Sequence, residues 1–202
     1  MNDARKVVEQ AEARGRRIAI FFVETLQSCG GQIIYPKGYL KKIFEYLQSK
    51  GILCVADEVQ TGFGRSGTHF WAFQSYGDEI HPDFVTLGKS MGNGFPVAAL
   101  VTRKKITRRF EEHGIEYFNT YGGNPVSCRA ALAVLDVIEN EQLQKNAYEV
   151  GKYFLEQLQI LKDKHELIGD VRGRGLFLGI EIVKNREKRE AGIEEARKIQ
   201  QK

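Results

Sequence analysis

Three short apolar runs in this 202-residue chain end in residues able to do chemistry. Ile18 to Val23 runs into Glu24, Ile52 to Ala56 into Asp57-Glu58-Val59-Gln60-Thr61-Gly62, and Phe84 to Leu87 into Gly88-Lys89. In open α/β sheets ligands sit beyond the carboxyl ends of the strands, so these ends are where a site is expected. Lys89 is set among Gly88, Gly92 and Gly94, with Met91, Phe95 and Pro96 close by. Such surroundings are expected to desolvate the amine and make it a nucleophile toward a carbonyl, the requirement for Schiff-base chemistry. The plainer alternative is an exposed loop lysine.

Asp57 alone could be a helix cap or a loop acid. Beside Lys89 it gains a second reading. A carboxylate in a dry cleft can hold a pyridine nitrogen protonated, making pyridoxal phosphate an electron sink while the lysine holds its aldehyde carbon. The two groups must reach one flat ring from different positions, so they should come from neighbouring strand ends. Two rivals fail on spacing: a phosphate-binding loop ending in Gly-Lys-Ser needs glycine at position 83, where Asp83 stands, and Gly173-x-Gly175 opens a strand rather than a dinucleotide-binding helix.

The elements that must carry these residues are legible from periodicity. Val7, Val8 and Ala11 predict a helix over residues 3 to 14, ended by Gly15, and Leu40, Ile43, Phe44 and Leu47 predict another, closed by Gly51. The continuous apolar runs read as strands buried on both faces. Pro96 to Val101 predicts a further strand, Arg103 to Glu112 a short helix, Pro125 to Glu139 a long one, and Glu141 to Leu161 continued helix. Alternating strands and helices give an α/β fold on a mostly parallel sheet. Beyond residue 165, Leu167 to Val171 and Leu176 to Val183 predict two strands around the Gly173-x-Gly175 turn, and Lys184 to Glu190 reads as a solvated loop.

Composition narrows the class. Hydrophobic residues at 42% and charged at 28% suit a globular protein, and no apolar run approaches the ~20 residues that span a bilayer. The net charge of +4 is spread along the chain, without the clustered cations and interleaved aromatics of a nucleic-acid surface. Cys29, Cys54 and Cys128 are far apart and fit neither a disulfide framework nor a zinc site, pointing to a reducing compartment. The four histidines lack metal-ligand spacing, so no metal is expected. Nothing in the first residues directs secretion; the expected location is intracellular, and a mitochondrial address would lie upstream of this segment.

The strings Ala56-Asp-Glu-Val-Gln-Thr-Gly-Phe-Gly-Arg-Ser-Gly67, Pro82-Asp-Phe-Val-Thr-Leu-Gly-Lys-Ser-Met-Gly-Asn-Gly-Phe-Pro96 and Phe118-Asn-Thr-Tyr-Gly-Gly-Asn-Pro125 together resemble the class III aminotransferases, fold type I enzymes that use pyridoxal phosphate. The resemblance implies that Lys89 bonds the cofactor aldehyde, Asp57 pairs with the ring nitrogen, Gln60 bonds the phenolic oxygen and Val59 packs on a ring face. It implies that Thr120 reaches the cofactor phosphate of a partner subunit, hence a homodimer with shared sites, and that Arg172 binds a substrate carboxylate. Residues 1–162 then correspond to the second part of the large cofactor-binding domain, and residues 163–202 to the beginning of a small α+β domain.

The family's usual Glu-Pro-x-Gln-Gly-Glu is here Glu24-Thr-Leu-Gln-Ser-Cys29, with Cys29 where the second glutamate would mask the substrate arginine. A neutral residue there disfavours alternation between two amino donors. With Tyr117-Phe-Asn-Thr-Tyr-Gly-Gly-Asn-Pro-Val-Ser-Cys128, the wording is most similar to the alanine–glyoxylate aminotransferase 2-like group, which includes phospho-lyases acting on phosphoethanolamine or phosphohydroxylysine. Phosphate elimination, with Glu24 on the substrate side, is the reaction the resemblance favours over transamination. The family's upstream phosphate loop and ring-stacking aromatic are not in this sequence, so the chain is expected to be partial, and a non-catalytic fragment is the remaining alternative.

Overall fold

The computed structural model describes residues 1–77, 79–114 and 116–201. Two sheets organise it. The first holds β1 (Ile20–Glu24), β2 (Leu53–Asp57), β3 (Phe84–Leu87) and β4 (Ala99–Thr102) in that spatial order; the second holds β5 (Ile168–Arg174), β6 (Phe177–Asn185) and β7 (Glu190–Ala191). The helices are α1 (Asn2–Ala13), α2 (Tyr39–Ser49), α3 (Lys104–Glu111), α4 (Pro125–Asn140), α5 (Leu143–Lys164) and α6 (Ile193–Gln200).

β1, β2 and β3 pair in parallel and β4 returns antiparallel. A parallel return needs a crossover of a dozen or more residues, commonly a helix. Only a 3-10 turn at Lys89–Met91 and the glycine-rich 92–98 segment separate β3 from β4, so the chain comes straight back. The predicted run of helix after Glu141 is interrupted: Gln142 takes a left-handed backbone at φ 54°, and α5 starts anew. The charged stretch expected to be a loop is partly ordered, with β6 reaching Asn185 and β7 beginning at Glu190.

The periodic positions of α2 do what their spacing predicts. Leu40, Ile43, Phe44 and Leu47 are buried and pack with Val8, Val23, Ile52, Cys54 and Ile80 into one core. Burial pushes the Cys54 thiol up to about 12, which leaves it inert.

Asp83 pins the amino ends of the strands. Its Oδ2 accepts from the Cys54 N–H at 2.9 Å and from Gln48 Nε2 at 3.0 Å, its own N–H donates to the Cys54 carbonyl at 2.8 Å, and Arg103 lies 3.6 Å from Oδ1. Asp83→Ala strands a buried backbone donor, so a loss of about 2–3 kcal/mol is expected in urea unfolding; a change below ~0.5 kcal/mol would contradict this role.

Candidate active site

The parallel register places Glu24 beside Asp57, and Asp57 beside Thr86, so the two carboxylates and the Thr86 hydroxyl form one row across a single face at the strand ends. The Glu58 N–H donates to the Thr86 carbonyl at 3.0 Å, fastening the turn after β2 to the segment that leads into Lys89. Asp57 is half-buried. Its Oδ1 accepts from the Val59 N–H at 2.9 Å, which orients the carboxylate and, among the described residues, leaves Oδ2 without a protein partner. Val59 lies against Gly88: a Cβ built there would sit 3.6 Å from Val59 Cγ1. Lys89 and Asp57 therefore do come from neighbouring strand ends, with Val59 between the turn of one and the backbone of the other. Gln60 is half-buried in the same turn.

Lys89 departs from expectation in one respect. Its side chain is exposed; of the neighbours expected to desolvate the amine, Gly94, Phe95 and Pro96 face solvent themselves, while Gly88 and Gly92 are buried and Met91 is half-buried. Its backbone is unusual in another way, with φ 39°. A non-glycine residue in the left-handed region costs on the order of 1 kcal/mol, and such strain gathers at functional positions. Two buried hydroxyls on either side, Thr86 Oγ1 and Ser90 Oγ, have no hydrogen-bond partner among the described residues.

Glu24 closes the turn that follows it. Its Oε2 accepts from the Ser28 N–H at 2.8 Å and from the Ser28 hydroxyl, and with Asp57, Gln27, Tyr35 and Tyr39 it lines a cavity of about 490 Å³. Thr120 is exposed in a turn held by Asn119, whose side-chain oxygen accepts from Tyr121 N–H at 3.1 Å and Gly122 N–H at 3.0 Å. The structure does not bring Thr120 into hydrogen bonding with the Asp57–Lys89 group.

Arg172 is already engaged. Nε donates to the Gly31 carbonyl at 2.8 Å, Nη1 to Asp170 at 3.1 Å and Nη2 to Glu181 at 2.6 Å. The family resemblance relates this arginine to the loop that carries Cys29, and its bond to Gly31 lies in that loop, but its acids come from its own sheet, so a substrate carboxylate would have to displace one of them. Burial works against the Arg172 charge, yet the hydrogen bonds it donates to Glu181 and Asp170 prevail and raise its pKa. Burial likewise works to raise Asp170, and the bonds from Arg172 and Lys162 outweigh it and hold the carboxyl below its ordinary value. A depressed carboxyl stabilises the fold above its unfolded pKa of about 4 and ceases to do so as pH falls through the folded value. Protection of the β5 and β6 amides, relative to their intrinsic exchange rates at each pH, is accordingly expected to fall as the pH drops below about 4, and in Asp170→Asn this acid step should shrink.

Sequence reasoning gave no role to Glu58, the most enclosed ionisable group of the site at 0% exposure. The available signal was an acid directly after a buried strand with Thr61 three residues on and Thr25 at the end of the adjacent strand.

The model of the family "Aminotransferase class-III" matches residues 2–200, and the chain belongs to that family, whose cofactor is pyridoxal phosphate. It is 50% identical over 184 residues to a Drosophila melanogaster protein named alanine–glyoxylate aminotransferase 2-like, covering 91% of this chain and 37% of the relative. It is 48% identical over 189 residues to ethanolamine-phosphate phospho-lyase homolog 1 of Caenorhabditis elegans, covering 94% and 40%. Among solved structures, an Arthrobacter phospholyase in complex with phosphoethanolamine superposes with a TM-score of 0.89 at 37% identity, over 95% of this chain and 44% of that one. The chain thus spans about two fifths of the length of these relatives. Among the described residues no helix is long and apolar enough to cross a membrane.

Proposed function

We propose that this chain supplies the lysine and the ring-binding residues of a pyridoxal-phosphate phospho-lyase, acting on a small phosphorylated amine such as phosphoethanolamine or phosphohydroxylysine. The observation that carries the cofactor reading is the Asp57–Val59–Lys89 arrangement on two adjacent parallel strands. Its donor set fits the aldehyde and ring: an oriented acid with one oxygen free, an apolar side chain beside it, an amide, and an accessible amine, with the hydroxyls of Thr86 and Ser90 lacking partners nearby.

Pyridoxal phosphate, when bound, supplies an electron sink that stabilises a carbanion beside the substrate nitrogen. Asp57 would hold a proton at the ring nitrogen, Gln60 would bond the phenolic oxygen and Val59 would pack against the ring. The Lys89 amine would hold the cofactor through its aldehyde carbon and, when the substrate amine takes its place, would be free to accept the proton from the substrate carbon next to nitrogen. Loss of that proton would let the carbon–oxygen bond to phosphate on the adjacent carbon break, phosphate leaving with the bonding electrons, and water would convert the remaining enamine to an aldehyde and ammonia. No second amino acceptor is consumed.

Three observations support elimination over transamination. Cys29 is exposed and neutral where an arginine-masking acid would be. Arg172 is neutralised within its own sheet, and phosphoethanolamine has no carboxylate to require it; in a substrate that has one, the exchange of Arg172 from Asp170 or Glu181 would be the binding step. The similarity to a phospho-lyase homolog and to a phospholyase fits the same reading, alongside relatives named aminotransferases. Glu24 faces the substrate side from the cavity it shares with Asp57. Thr120 is carried beside Tyr117, Phe118 and Tyr121, exposed by 78, 85 and 80%, as a surface covered by a second copy would leave them; we infer a homodimer in which Thr120 serves the partner's cofactor phosphate.

The purified full-length enzyme supplied with pyridoxal phosphate should release inorganic phosphate from phosphoethanolamine together with equal amounts of aldehyde and ammonia, with no keto acid present. Transfer of nitrogen to a keto acid without phosphate release would make it a transaminase instead.

A further inference from the structure

We propose that Glu58 is a positioning residue: a buried carboxylate whose four hydrogen bonds fix the Asp57–Gln60 turn and so aim Asp57 and Gln60. Oε1 accepts from the Thr25 hydroxyl at 2.9 Å and the Phe73 N–H at 2.8 Å, and Oε2 from the Thr61 hydroxyl at 3.0 Å and the Ala72 N–H at 3.0 Å. Four donors saturate the acceptor capacity of one carboxylate. They come from three places: the turn after β1, the turn after β2 itself, and the 3-10 turn Ala72–Tyr76. Among the described residues no cation forms an ion pair with it. Burial works to raise the Glu58 pKa and prevails, with the four directed donors opposing it, which makes the geometry of those donors exacting.

The neighbouring contacts show what this anchor restrains. Gly62 packs so closely that a Cβ there would lie 2.9 Å from the Glu58 carbonyl. From the far side, Arg174 stacks over Tyr76 at 4.7 Å and donates to Ser75, so the 3-10 turn is clamped between Glu58 and the second sheet. Asp57 has only the Val59 N–H to orient it, and the turn carrying that N–H is held by Glu58. Glutamine cannot substitute. Whichever oxygen becomes the NH2 group faces a backbone N–H, either Ala72 or Phe73, and neither can turn away as a hydroxyl can.

This inference rests on the cofactor roles proposed for Asp57 and Gln60, and its test separates the two. Amide exchange and the Asp57 carboxyl-carbon shift are read by NMR in the purified protein before any cofactor is added, and pyridoxal phosphate is then titrated in. In Glu58→Gln the Ala72, Phe73 and Val59 amides should exchange about tenfold faster, the Asp57 carboxyl resonance should move, and pyridoxal phosphate should bind about tenfold more weakly. Faster exchange at Ala72 and Phe73, with Val59 and Asp57 unchanged, would reduce Glu58 to a local structural role and overturn the proposal. If Glu58→Gln does not fold, Thr25→Val and Thr61→Val, each removing one donor, decide on the same Val59 and Asp57 readouts. Failure of the wild type to bind pyridoxal phosphate would refute the cofactor reading, while the Val59 and Asp57 readouts would still judge the anchor.

Discussion

Gly151→Ala is expected to lower the unfolding free energy by about 3 kcal/mol, although it replaces a glycine in the middle of a helix. On propensity alone the change should stabilise α5 by nearly 1 kcal/mol. The added methyl, however, would collide with the Gly175 carbonyl and lie 2.6 Å from its Cα. Gly175 has no room to retreat, since a Cβ of its own would lie 2.5 Å from the Ser66 carbonyl carbon, and the next residue, Leu176, donates to the Arg65 carbonyl at 3.1 Å. Backbone thus meets backbone where α5, the β5–β6 turn and the 62–67 loop converge, and the clash outweighs the propensity. Urea unfolding checks this: a variant as stable as the parent would mean that the second sheet does not dock through this contact.

Lys89→Ala is expected to remove the visible absorbance acquired with pyridoxal phosphate and to lower phosphate release by about 10³-fold or more. Stability should change little, because Lys89 is exposed and alanine keeps the Cβ, and with it the backbone strain of the positive φ. That pairing of a large loss of function with a small change in unfolding free energy separates a chemical role from a structural one. Unaltered absorbance in the variant would place the cofactor on another lysine.

Much of this architecture is legible because its signals are local. The helical spacing of Leu40, Ile43, Phe44 and Leu47 and the unbroken apolar runs before Asp57 and Lys89 each depend on a few neighbouring residues, and Asn124-Pro125 marks the start of α4, where Asn124 accepts from the Ser127 N–H at 2.9 Å. Adjacent strand ends for Asp57 and Lys89 follow from two parallel strands in sequence. What the residues alone do not convey depends on distant partners. The exposure of Lys89 reflects what the chain places around it, not its flanking residue types. The ties of Arg172 to Asp170 and Glu181 require the β5–β6 register. Glu58 reads as one more acid in a polar turn until Thr25 and the 3-10 turn at Ala72 are brought to it across 33 and 14 residues.

In the proposed function, Lys89 is the amine that captures the aldehyde of pyridoxal phosphate beside Asp57. Borohydride reduction of the purified protein with stoichiometric pyridoxal phosphate, followed by peptide mass mapping, tests it most directly. The account predicts the reduced pyridoxyl adduct on Lys89, at much lower yield in Asp57→Ala. An adduct spread evenly over surface lysines, or one on Lys89 indifferent to Asp57, would contradict it.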